Sequence, residues 1–157
     1  MKTSFPGFSP EALKFLVQLK RHNNRPWFLK HKEIYEREIK EPTVALVLAI
    51  NAELRTLAPE LVTEPKRAIY RIYRDVRFSA DKAPYKTHTA ALFAPRGLEK
   101  HAGAGLYVHF AADELLLAGD RQDGWGAEGG VVGANAGAIE PAELTRGFIK
   151  THKAMGR

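Results

Sequence analysis

The chain has no cysteine among its 157 residues, which excludes a disulfide scaffold, a zinc–thiolate centre and thiol catalysis. Long apolar runs are also missing. The longest, Val44 to Ile50, covers seven residues, against the roughly 20 that a membrane-spanning helix needs. The opening Met1-Lys2-Thr3-Ser4-Phe5-Pro6 carries no apolar core of a secretory signal. Neither a P-loop nor a G-x-S-x-G elbow occurs. Six histidines are present but none are spaced as H-x-x-x-H, so no metal site is expected. What remains is a soluble cytoplasmic protein with no membrane partner. Hydrophobic residues make up 45% and charged residues 27%, enough apolar content for one domain with a core and too much for wholesale disorder.

The net charge of +6 is unevenly spread. Residues 66–86 hold seven basic groups (Lys66, Arg67, Arg71, Arg74, Arg77, Lys82, Lys86) and two acidic ones (Asp75, Asp81), so most of the excess lies in 21 residues. A local positive field favours an anionic partner such as a phosphate, a nucleotide, a nucleic acid or a carboxylate.

Periodicity divides the chain in two. Ser9 caps a first helix with Pro10 at its start, and Leu13, Leu16, Val17 and Lys20 form its stripe. Asn23-Asn24 ends it and starts a second helix from about 26 to 40, with Trp27, Phe28, His31, Ile34 and Tyr35 near one face. Glu41-Pro42 is expected to break that helix. A third follows, with Val47, Ile50, Leu54 and Leu57 as its apolar seam, closed by Ala58-Pro59.

From residue 67 the period becomes two. A long strand is expected over 67–78, with Ala68, Tyr70, Ile72, Val76 and Phe78 on the core face and Arg71, Tyr73, Asp75 and Arg77 on the other. Arg74 falls in the apolar phase, so it must find a carboxylate or an anionic ligand. A strand at about 89–94 and a hairpin of 105–110 with 114–118 complete the pattern. Helices followed by a meander give an α+β fold, N-terminal helices packed on a mainly antiparallel sheet.

The tail differs. Nine of the 13 glycines fall in the last 39 residues. Gly124 to Gly129 spells G-x-G-x-x-G, yet no strand leads into it and no helix opens from it, so it is read as a loop. A short helix is predicted over 141–154.

The dense stretch Arg71 to Lys86 carries the chemistry. In an extended strand Arg71 and Arg77 would lie about 20 Å apart, too far to grip one small anion. Asp75, between arginines, should hold a depressed pKa and organise guanidinium groups. Ser79, Asp81, Lys82, Tyr85 and Lys86 return past the strand end in a loop stiffened by Pro84. Arginine forks suit phosphate or carboxylate, and lysines add undirected charge. An Arg–Asp ladder that only pins strand to loop is the competing reading.

This stretch reads Arg71-x-x-Arg74-Asp75-x-Arg77-Phe78-x-x-Asp81-Lys82-x-x-Tyr85. It resembles the signature of an uncharacterised, mainly bacterial family called domain of unknown function 2461. Phe5, Gly7-Phe8, Asn23-Asn24, Trp27-Phe28, Lys32, Tyr35, Pro42 and the hairpin Gly105-Leu106-Tyr107-Val108 fit the same pattern. The resemblance covers about residues 4–119, taken as the family-like domain, and implies no reaction, ligand or cofactor. It implies a longer chain after the hairpin, so the divergent 120–157 tail is read as truncated or frame-shifted. A sheet left short of strands would expose an edge and invite self-association.

The resulting expectation is an anion-binding protein. Arg71, Arg77, Lys82 and Lys86 contact the ligand, Asp75 and Asp81 orient guanidiniums, Arg74 locks strand to loop, and Tyr85 completes the motif. One alternative is a phosphoester hydrolase with Asp81 as base and Arg77 stabilising charge. Another is nucleic-acid binding, favoured by Tyr70, Tyr73, Phe78 and Tyr85 among the basic residues, with Tyr70 and Phe78 on the presumed core face as the argument against.

Overall fold

A computed structural model describes residues 5, 7–95, 105–112, 115–119 and 131–132, the last two segments by backbone alone. The predicted helix at 141–154, the glycine-rich run at 124–129 and the rest of the tail lie outside the described residues.

Helices come first: α1 (Pro10–Arg21), α2 (Arg25–Lys30), α3 (Lys32–Ile34) and α4 (Glu41–Leu57), with α5 (Pro65–Ala68) a single turn. Ser9 caps α1, its Oγ accepting from the Ala12 amide at 3.1 Å. The buried stripe of α1 is Ala12, Phe15, Leu16 and Leu19, whereas Val17 is exposed. Of the expected stripe Leu16 is buried and Leu13 packs against the core, whereas Val17 and Lys20 are exposed and Phe15 and Leu19 fill the core in their place.

The second helix is not continuous. Its chain turns at His31, then runs in a π register over Tyr35–Lys40 straight into α4. Pro42 does not break the path as expected. It sits in the first turn of α4, and the widened register before it, with the Glu41 amide bonded to the Glu36 carbonyl, makes room for its ring. Along α4 the seam Val47, Ile50 and Leu54 is buried as expected, but Leu57 at its last position is exposed.

Strands β1 (His88–Phe93), β2 (Leu106–Ala111), β3 (Leu115–Gly119) and β4 (Val131–Val132) form an antiparallel sheet in sequence order. The α+β expectation holds, and the hairpin falls where the alternation placed it. Ala91, Phe93, Leu106, Val108 and Phe110 share the face that receives the helices. Phe8 stacks on Phe110 with ring centroids 3.8 Å apart. Thr43, buried in α4, donates to the Ile39 carbonyl and meets Thr89 of β1, fastening helix to sheet without an unpaired hydroxyl. Gly105 is required for this pairing: a Cβ there would come within 2.7 Å of the Phe93 carbonyl oxygen. Among the described residues no helix is long and apolar enough to cross a membrane.

The long strand expected over 67–78 does not form. Pro65 instead starts a helical turn that buries Ala68. Buried Asn51 presets this turn, exchanging two hydrogen bonds with the Thr63 backbone at 2.6 and 3.0 Å. Beyond it the chain pairs with the 84–91 arm through isolated bridges, Ile69 to Ala91 and Tyr73 to Tyr85, and not through a continuous ladder. The Tyr70 amide bonds the Ala90 carbonyl and the Lys86 amide bonds the Ile72 carbonyl. Two steps on one arm thus face four on the other, a bulge that interrupts the ladder and re-aims the side chains between.

Candidate anion-binding site

The motif forms the end of this irregular hairpin, and the segment is not straight. A turn closed by the Ser79 amide on the Val76 carbonyl bends it, at 3.2 Å. Arg71 and Arg77 line one cavity of about 650 Å³, together with Arg74, Asp75, Tyr73 and Lys86. The straight strand that the 20 Å expectation assumed does not form, and both arginines face one cavity. Phe78 is corrected as well: it is 95% exposed, because the alternation that buries Ala68 and Ile72 ends at the turn.

Most of the motif's charge is spent on holding the loop. Arg74 donates to the Ala83 carbonyl at 2.8 Å and pairs with Asp81 at 3.3 Å, the carboxylate its position in the apolar phase requires. The second Asp81 oxygen accepts from the Ala83 amide. Lys82 donates to the Val76 carbonyl at 2.7 Å. Neither Asp81 nor Lys82 lines the cavity.

Tyr85 does not line it either. Its ring is buried and stacks on Phe28 at 4.2 Å, and burial pushes its phenol up. Its backbone is gripped by Asn23, whose side-chain amide donates to the Tyr85 carbonyl at 2.9 Å and accepts from its N–H at 3.0 Å. The Asn23-Asn24 pair therefore divides its work. Asn24 caps α2 by accepting from the Trp27 amide, and Asn23 clamps the motif loop. The sequence reading assigned both to the helix turn. The surplus of a second Asn beside a sufficient cap was the available signal.

Four charged groups remain at the cavity, Arg71, Asp75, Arg77 and Lys86. Asp75 takes Arg77 in a two-pronged pair, at 3.0 and 2.8 Å, and these bonds with the Arg77 amide hold its carboxyl below the usual range. Lys86 donates to the Arg71 carbonyl at 2.7 Å and lies over the Tyr70 ring. Burial and then the Arg71 guanidinium push the Lys86 amine down. Among the described residues Arg71 and Lys86 have no carboxylate in ion-pair range. Arg71 and Lys86 are thus two adjacent cations at the cavity, whose one lining carboxylate, Asp75, is taken by Arg77.

Among the described residues no group of three or more His, Asp or Glu side chains is placed to hold a metal ion. Residues 11–121 match the family model described as Conserved hypothetical protein (DUF2461). No curated protein and no solved structure matches the chain.

Proposed function

The chain belongs to the DUF2461 family, and from the charge arrangement on its motif we propose that it binds a ligand bearing phosphate or a comparable anion. The observation that carries this reading is the unneutralised pair Arg71 and Lys86 at the motif cavity. Arg71 supplies the directional fork and Lys86 the charge, with Arg77 presented beside them by Asp75. Arg74, Asp81, Lys82 and Tyr85 act by keeping the loop in place.

The hydrolase alternative is less well supported. Asp75 is committed to Arg77 and Asp81 to Arg74 and the Ala83 amide, which leaves neither carboxylate poised as a base at this cavity. The nucleic-acid alternative gains one observation. Phe78, expected in the core, stands in solvent with Arg77 5.7 Å from its ring centroid, and Tyr73 is half exposed nearby.

Calorimetric titration of inorganic phosphate into wild type, Arg71→Ala and Lys82→Ala tests the proposal. Binding should vanish in the first variant and persist in the second. Equal affinity in wild type and Arg71→Ala, or none in wild type, would overturn it.

A further inference from the structure

The motif cavity adjoins a second one. Ile69, Tyr70, Arg71 and Tyr73 line both it and a cavity of about 690 Å³ on the helical side. Each lies within the size range of small-molecule sites. Their chemistry differs. The motif cavity is walled by cations, whereas Phe28, Tyr35, Val44 and Ile72 give the second an apolar, ring-rich wall. Its rim carries Lys32 and the Glu36–Lys40 pair, which is 3.5 Å apart. Tyr35, Glu36 and Lys40 all come from the π-register segment, a departure from α geometry often found where side chains serve a site.

We propose that the two cavities hold one ligand, a nucleoside phosphate unit, with its base among Phe28, Tyr35 and Tyr73 and its phosphate at Arg71 and Lys86. This rests on the anion-binding reading and names its ligand class. Ring walls suit a flat aromatic group. The carboxylate and ammonium at the rim suit a base edge, which carries both donors and acceptors; an acyl chain would leave them unused. Burial, with Glu36 and Tyr73 adding to it, pushes the Tyr35 phenol up to about 12, so it stays neutral and offers a hydroxyl to the base. Arg71 is common to both cavities, where the link from base to phosphate must pass.

The unit has two sources, a free nucleotide or one residue of a single strand. Phe78 separates them, since it is absent from the lining of both cavities and only a continuing strand would reach it.

The test is calorimetric titration of the full chain with adenosine monophosphate, inorganic phosphate, adenosine and a short single-stranded oligoadenylate. The nucleotide should bind at least about tenfold tighter than phosphate or adenosine, as expected when two subsites act together. Val44→Phe, which narrows the apolar cavity at a position outside the lining of the motif cavity, should erase that advantage and leave phosphate affinity unchanged. Phe78→Ala weakening only the oligonucleotide would assign the strand as source, and no effect on either would assign the free nucleotide. A nucleotide no tighter than phosphate overturns this inference while the anion site stands. Absence of both phosphate and nucleotide binding overturns the two together.

Discussion

In the layer between α4 and the sheet, Ile50, Leu54, Phe93 and Leu106 are fully buried in one apolar cluster. In the motif loop, Arg74, Lys82 and Lys86 direct their charged ends at backbone carbonyls, and Asn23 does the same with its amide. The first region is held by area removed from water, the second by directional bonds to a backbone that has no ladder of its own. The difference separates charge that builds a loop from charge left at the cavity. A basic motif looks uniformly functional in sequence. In the folded protein Arg74 and Lys82 are anchors, Lys86 bonds a backbone carbonyl yet keeps its charge at the cavity, Arg77 is held by Asp75, and no side-chain bond of Arg71 closes the loop.

This contrast can be broken from either side. The largest loss of stability should come from the apolar region. Phe110→Ala removes a ring that is 1% exposed and stacked on Phe8, and should cost about 3–5 kcal/mol in urea denaturation. Asn23→Ala comes next. It strips partners from both the N–H and the C=O of Tyr85, a change of about 1–3 kcal/mol. If the loop were held by its ion pairs alone, that variant would unfold at the wild-type midpoint.

A smaller effect belongs to His88, stacked on His109 at 4.1 Å. Burial first, then His109 and Lys86, pushes its pKa down to about 4 from 6.5. Between these values the unfolded chain takes up a proton that the folded chain refuses. Stability is therefore full above about pH 6.5 and declines as the pH falls towards about 4. Denaturation midpoints taken across that window should fall less steeply in His88→Gln. Smallest of all, Arg71→Ala should leave stability within about 0.5 kcal/mol of wild type while abolishing phosphate binding. A large destabilisation would place Arg71 with the anchors and collapse the distinction between the two kinds of charge.

Local signals were legible where local chemistry decides. Ser9 at the α1 cap, the Val47–Ile50–Leu54 seam and the alternation of the β1–β2–β3 meander all follow from spacing along the chain. The motif was legible as a cluster, and so was the need of Arg74 for a carboxylate. The strand over 67–78 was misread because its alternation of burial is genuine as far as Val76, although no continuous ladder accompanies it, and ends at the turn. Nothing in the period itself shows that a bulge and a turn interrupt the pairing.

What the sequence determined by itself was the order of helices before strands, the absence of thiol chemistry and the concentration of positive charge between residues 66 and 86. These depend on composition and on neighbours within a few positions. Tertiary structure alone decided which charges are free. Asn23 meets Tyr85 across 62 positions of sequence, and Phe28, Tyr35 and Val44 reach the wall shared with Arg71 only after α2, the π segment and α4 pack beside the hairpin. Such long-range contacts are set by the three-dimensional packing of apolar faces, which one-dimensional periodicity does not specify.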